Sequence, residues 1–273
     1  MKRIFFLAIS VLVSVGAAVG QGDSNGMVAA AGAQDAPVTF DKTAAELWDD
    51  AGTAYVNADY EQAVALYKSI LSQGFESSAL FYNLGNSYFK MGMNAEAILN
   101  YNRALRLAPS DDDIKYNLSI ANAYTRDKID VVPEFFMMRW MRDIKSSMSS
   151  NSWAGISIAT FALLLVCGIL YLLMGSMALR KAGFYAGMLC LAIFIASTGF
   201  AGSQKNRIIH PDEAVVISGS VPVKSSPDAG SKDIFVLHSG TKVKVTVELN
   251  GWREVMIPNG NKGWLQASSI EMI

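Results

Sequence analysis

Two cysteines, two histidines and a charged content of 17% give a chain of 273 residues little material for chemistry. Cys167 and Cys190 stand inside long apolar runs, in neither a CxxC pair nor a spacing with histidine, which removes zinc and thiol-redox centres. They read as thiols packed between helices or facing lipid, with a disulfide between neighbouring helices as the alternative. His210 and His238 have no second histidine at ligand spacing. No glycine-rich loop is present to cradle a phosphate, and no nucleophile has a base beside it. Asp111-Asp112-Asp113 precedes a helical pattern, where carboxylates cap free N–H groups rather than gather a metal. A net charge of −1, with no stripe of Lys and Arg, argues against nucleic acid. The expectation is a protein that is not an enzyme and needs no cofactor.

What the chain has is apolar length. Its hydrophobic content of 51% is high for a soluble protein, so part of it is expected in lipid. Met1-Lys2-Arg3, the apolar run Ile4 to Val19 and the small and polar residues after it read as a signal peptide over 1–20. Cleavage after Gly20 or after Ala33, and an uncleaved anchor, all fit. An Ala/Gly-rich linker without periodicity follows over 21–40. Uncharged stretches over 153–175 and 182–202 each reach the roughly 20 residues a membrane helix needs, and the short link between them predicts a hairpin with Arg180 and Lys181 in its turn. Flanking positive charges favour one orientation and the signal sequence the other. The signal sequence decides, because a translocated first domain leaves the first span one direction to run. Both globular parts then face the periplasm from the inner membrane. Gly183 and Gly187 form a GxxxG pair suited to close helix packing, against the first span or another protein. Over 133–150, Phe136, Met137, Trp140, Met141, Ile144 and Met148 share one face, opposite Arg139, Arg142, Asp143 and Ser146, with Pro133 in the first turn. This is either a helix lying in the membrane interface or one packed on the preceding domain.

Upstream, Phe81, Leu84, Gly85, Tyr88, Ala97, Tyr101, Ala104 and Pro109 fall at the offsets of the roughly 34-residue tetratricopeptide pattern. Trp48, Gly52, Tyr55, Ala63 and Tyr67 repeat it one residue shorter, and Tyr116-Asn117-Leu118 echoes Tyr82-Asn83-Leu84 in a capping helix. The region 41–128 therefore resembles two repeats and a cap, fewer than the about three repeats such stacks need. Help is expected from the interfacial segment or a partner. The resemblance implies a groove lined by the first helix of each unit, here Asp49, Thr53, Tyr82, Asn86, Phe89, Lys90 and Ile120, that receives peptides.

Beyond 212 the texture changes to short β-branched runs split by Gly, Pro, Asn and Ser, with Val243, Val245 and Val247 alternating onto one face. Asn250-Gly251 and Asn259-Gly260 predict hairpin turns in a small closed barrel. Val221-Pro222-Val223, Gly251-Trp252-Arg253-Glu254-Val255 and Gly263-Trp264-Leu265 resemble the bacterial SH3 family over 212–273. In that family the loops hold cell-wall peptides or protein segments. Trp252 and Trp264 are candidate ligand contacts, although such Gly-Trp pairs are mostly architectural.

The expected fold class is thus multidomain: α-helical repeat hairpins, a two-helix transmembrane hairpin and an all-β SH3-like barrel. That order of parts, with Phe135-Phe136, Trp140 and Ser152-Trp153 between repeats and hairpin, resembles the BatE-type proteins of the Bacteroides aerotolerance (Bat) operon family. The resemblance implies an envelope scaffold with von Willebrand factor type A membrane proteins as partners and, across the membrane, a MoxR-type ATPase. Membrane lipid is a partner in any case. A peptidoglycan anchor acting through the SH3-like domain is the alternative.

Overall fold

A computed structural model describes residues 28–29, 42–130, 132–133 and 135–273. The signal peptide expected at 1–20 lies outside the described residues, as does the linker at 21–40 apart from Val28–Ala29 (β1), which pairs antiparallel with Phe75–Glu76 (β2). The molecule divides into two compact units, with Asn151–Thr198 in one and Val28–Ser150 with Gly199–Ile273 in the other.

Five helices open the larger unit: α1 (Ala44–Val56), α2 (Tyr60–Ser72), α3 (Ser78–Lys90), α4 (Asn94–Leu107) and α5 (Asp112–Ala123). Four of the five starts are written in cap residues, whereas α4 follows Met93, which makes no side-chain cap. Thr43 and Glu46 form a reciprocal capping box, Asp59 accepts from Gln62 N–H, Ser77 from Leu80 N–H, and Asp111 from Asp113 and Ile114 N–H. Each such cap contributes about 1 kcal/mol. The turns inside the two hairpins reverse through a left-handed residue at the same place, Ala58 (φ 62°) and Gly92 (φ 76°), so the first repeat is not a residue shorter as expected: buried Ala51, not Gly52, stands where Gly85 does in the second. Leu47, Leu66, Ile70, Leu80 and Leu84 form the core of the first hairpin and its junction with the second. In the second hairpin Gly85 lets α4 approach so closely that an added Cβ would lie 2.8 Å from the Tyr101 ring.

The C-terminal strands are β3 (Glu213–Val216), β4 (Ser220–Lys224), β5 (Asp233–His238), β6 (Lys242–Leu249), β7 (Trp252–Met256), β8 (Lys262–Gln266) and β9 (Ile270–Met272). They form one antiparallel sheet in the order β5-β4-β8-β7-β6-β3-β9, coiled round a core that includes Val216, Val223, Leu237, Val255 and Leu265. The sheet curls without a ladder between its ends, β5 and β9, so the closure expected from the sequence is not made by strand pairing. Asn250 (φ 48°) and Gly251 (φ 80°) make the β6–β7 turn, as that dipeptide predicts. The expected alternation fails at one point. A bulge between Val245 and Val247 places Val247 opposite Glu254, which turns it out to 46% exposure while Val243 stays buried.

The sheet docks on the helices. Val215 and Ile273 are buried in the same core as Ile98, Tyr101, Ile114 and Ala121, with Ile217 packed against them. Polar contacts ring that seam. Arg103 donates to Glu271 at 2.9 Å and to the Met272 carbonyl at 2.6 Å, and Arg106 donates to the Ile273 carbonyl. Past α5, the Asp127 carboxylate accepts from His238 N–H and Thr241 O–H at 2.7 Å and meets His238 Nδ1 at 2.6 Å. The support expected from an interfacial segment or a separate partner is therefore supplied by the chain's own β domain.

Three further helices are α6 (Phe136–Ser146), α7 (Ser150–Leu173) and α8 (Met177–Ile209). α6 begins after Pro133, not with it, and buries none of its residues, with Phe136, Met138 and Trp140 all exposed. That leaves its apolar face unpacked on the repeats. α7 and α8 are long and apolar enough to cross a membrane. In the smaller unit they pack through Gly183 and Gly187, where added Cβ atoms would lie 3.1 Å from the Cys167 carbonyl and 3.4 Å from Cys167 Cβ. Both cysteines are buried free thiols. Arg180 and Lys181 are not in the turn, which 174–176 complete. They sit in the first turns of α8, where both residue types favour helix, and Arg180 donates to the Tyr171 carbonyl at 3.2 Å. α8 also runs past the span end expected at 202.

Candidate functional site

The first helices of the repeats, α1, α3 and α5, carry the seven residues expected to line a peptide groove. The side chains differ in how much they have left to offer. On α1, Asp49 and Thr53 are exposed, and the Thr53 hydroxyl donates to the Asp49 carbonyl at 3.0 Å within its own helix. On α3, Tyr82, Asn86 and Phe89 are half-buried and Lys90 is exposed. Lys90 sits in the last turn, where a cation suits the negative end of the helix dipole. On α5, Ile120 is half-buried.

A hydrogen-bonded ladder ties α3, α4 and α5 together at the middle of this face. Asn86 Oδ1 accepts from Tyr101 Oη at 2.8 Å and from Asn117 Nδ2 at 2.9 Å, and the same Asn117 amide donates to Tyr82 Oη at 3.0 Å. Burial pushes the Tyr101 phenol well above its ordinary value, so it remains a donor across the physiological range. Asn86 and Tyr82 are thus struts that set helix spacing, and the more exposed groups of this face lie beside them. There, Phe89 meets Tyr124 edge to face with ring centroids 5.9 Å apart, while Tyr124 and Tyr116 are each 66% exposed. Asn117, Tyr116 and Tyr124 were not among the expected lining. The signal for them was in the chain, since Tyr116 and Tyr124 stand one repeat length beyond Tyr82 and Lys90.

The other two candidates lie on the β domain. Trp252 pairs with Gln266, and Glu254 with Trp264, so the period of two along β7 puts both tryptophans diagonally adjacent on one face. It is the outer face, because Val255 and Leu265 on the alternate positions fill the core. Leu249 pairs with Trp252 and Val247 with Glu254, adding two exposed aliphatics to the same face. Both tryptophans are half-buried on that outer face, outside the domain core. Among the described residues, no cluster of three or more His, Cys, Asp or Glu side chains stands where it could hold a metal ion.

These features agree with what comparison with known families finds. The tetratricopeptide-repeat family matches residues 78–111, and the bacterial SH3 domain family matches residues 219–271. The folded parts are a tetratricopeptide-repeat stack and a bacterial SH3-like domain. No curated protein matches the chain. The family match to the repeats covers α3, α4 and the loop to α5, the part of the stack that carries Tyr82, Asn86, Phe89 and Lys90. The match to the SH3-like domain covers β4 to β9 and includes Trp252 and Trp264.

Proposed function

We propose that the chain is a membrane-anchored scaffold of the bacterial envelope that docks other proteins on the first-helix face of its repeats and performs no catalysis of its own. One observation carries this reading. The stack's end is closed by the SH3-like domain, yet the neighbouring face keeps Lys90, Tyr116 and Tyr124 turned to solvent beside a half-buried Phe89 and a rigid amide–phenol ladder. Aromatic rings on a preorganised support are the groups that anchor a peptide at low entropic cost. Two apolar helices fix that face at the membrane and raise its effective concentration toward membrane partners.

In this reading the repeats and the SH3-like domain face the periplasm, and the partners are von Willebrand factor type A proteins of a Bat-type operon, coupled across the inner membrane to a MoxR-type ATPase. Alkaline phosphatase fused near Tyr124 and near Ser269 is expected to be active in both fusions; inactivity of either excludes the topology. Pull-down from solubilised membranes with Lys90→Glu/Tyr124→Ala tests the docking face. The partners are expected to be lost while the protein stays folded, and retention of all partners sinks the scaffold.

The outer tryptophan face favours a second reading, a peptidoglycan anchor. Full-length protein that co-sediments with purified sacculi through Trp252 and Trp264, whatever the state of the repeat face, supports the anchor over the scaffold.

A further inference from the structure

Where the repeats, the end of α6, the last turns of α8 and the first strand of the β domain meet, the larger unit contains a cavity of about 190 Å³. Arg106, Lys115, Arg207 and Lys242 line it, against the carboxylates of Asp212 and Glu213. Those carboxylates are already engaged. Glu213 holds both Lys242 at 2.9 Å and Arg207 at 3.1 Å, and Asp212 is drawn to Lys244 at 3.0 Å. Among the described residues, the acid that Lys115 reaches is Asp112, 91% exposed to water. Arg106 gives one N–H to the Ile273 main-chain oxygen, while its Nε is buried with no acceptor among the described residues.

A buried donor without an acceptor costs about 1–3 kcal/mol. Here it belongs to a cation in a cavity where two other cations share one carboxylate. The surrounding groups register the same imbalance. Burial holds the Arg106 guanidinium below its ordinary value. Lys145, at the end of α6, is lowered by burial and then by the charge of Arg207. Burial raises Glu213, but Lys242 and Arg207 outweigh it and hold its carboxyl low.

We propose that this cavity binds a phosphate group, as a phosphate ester of a lipid headgroup or as free phosphate. Phosphate suits the walls because its several oxygens accept from guanidinium and ammonium groups arriving from separate elements. A lipid is the favoured source, because two walls are the end of an exposed amphipathic helix and the end of an apolar helix, which is where headgroups lie. The lipid source rests on α7 and α8 being spans; the free-phosphate source does not.

The test uses the full chain and the double variant Lys115→Gln/Arg207→Gln, whose two side chains are about half exposed and tolerate substitution. Protein in nanodiscs of phosphatidylcholine and phosphatidylglycerol is released into the mass spectrometer under native conditions. Retained phosphatidylglycerol is expected for wild type and for Lys68→Gln, an exposed cation of α2 outside the cavity, with about a tenfold loss in the double variant. In a second arm, detergent-solubilised protein is melted in inorganic phosphate and in chloride of equal ionic strength. A phosphate-specific rise in Tm that the double variant lacks, without lipid retention, assigns the site to free phosphate. Equal behaviour of wild type and double variant in both arms overturns the proposal.

Discussion

The two ends of the helical stack are finished in different ways. At the start, α1 closes the stack with its own surface. A capping box holds its first turn, Lys42 and Asp50 pair across exposed side chains at 2.6 Å, and Val56 at its other end is 83% exposed. An exposed pair of that kind contributes about 0–1 kcal/mol. At the finish, α4 and α5 give Ile98, Ile114 and Ala121 to a core completed by Val215 and Ile273 from the SH3-like domain. The outer side of α1, with Glu46, Asp49 and Thr53 exposed, can stand against water, but an α5 without a second helix of its own leaves an apolar edge that needs a lid. The lid also shields the sheet, because the β9 edge gives its Met272 carbonyl to Arg103 instead of offering it to another chain.

The comparison breaks most severely at Gly240. Its φ is +88°, and an added Cβ would lie 2.9 Å from Thr125 Cγ2 and 3.2 Å from Ile98 Cδ1. Gly240→Val is expected to cost about 3 kcal/mol or more, from backbone strain and overpacking together, and to split one thermal transition of the larger unit into two. Asp127→Ala comes next. It strands the His238 and Thr241 donors, and a loss of about 2–3 kcal/mol in urea unfolding of the full chain is expected, with a smaller loss for Asp127→Asn.

Acid sharpens the same contact. Burial pushes the Asp127 carboxyl up, but hydrogen bonds from Thr241 and His238 more than offset it and hold it below its ordinary value. A carboxyl lowered by folding adds stability that is present above its unfolded value, about 3.9, and lost as pH falls through the lowered one. Docking is therefore expected to weaken below about pH 4. Asp127→Asn removes this component of the acid dependence, which a series of melts against pH will show. The smallest effect lies toward the free end. Ala58→Gly relieves a left-handed alanine and is expected to stabilise by about 1 kcal/mol, whereas Gly92→Ala costs a similar amount; amide exchange in α1 and α2 against α3 and α4 separates the two.

Local patterns were legible in the sequence wherever the cause is local. The helix start at Asp111, the repeat positions Gly85 and Tyr101 and the Asn250-Gly251 turn follow from residue type and spacing, and Thr43, Asp59 and Ser77, unremarked in the sequence, carry the same capping signal. The bulge that turns Val247 outward was not legible, because alternation assumes an unbroken ladder. Nor was the extent of α8, since charged residues that end a membrane span do not end a helix. The largest omission is the docking of sheet on helices. Asp127 and His238 each look ordinary in sequence, and their value to one another arises from tertiary approach that no period encodes. Of the expected groove, Lys90 is exposed and Phe89 half-buried, while Asn86 is spent on Tyr101 and Asn117.

The lid also has a consequence for the order of synthesis. The repeats leave the ribosome first, and the strands that cover Ile98 and Ala121 follow only after both apolar helices have been made. At about 5–20 residues per second, the apolar end of α5 waits roughly 5 to 30 seconds for β3 and β9. During that interval the nascent stack presents an unfinished surface to chaperones and to any neighbour able to occupy it. Protection of Ile98 and Ala121 then marks a chain whose last strand has arrived.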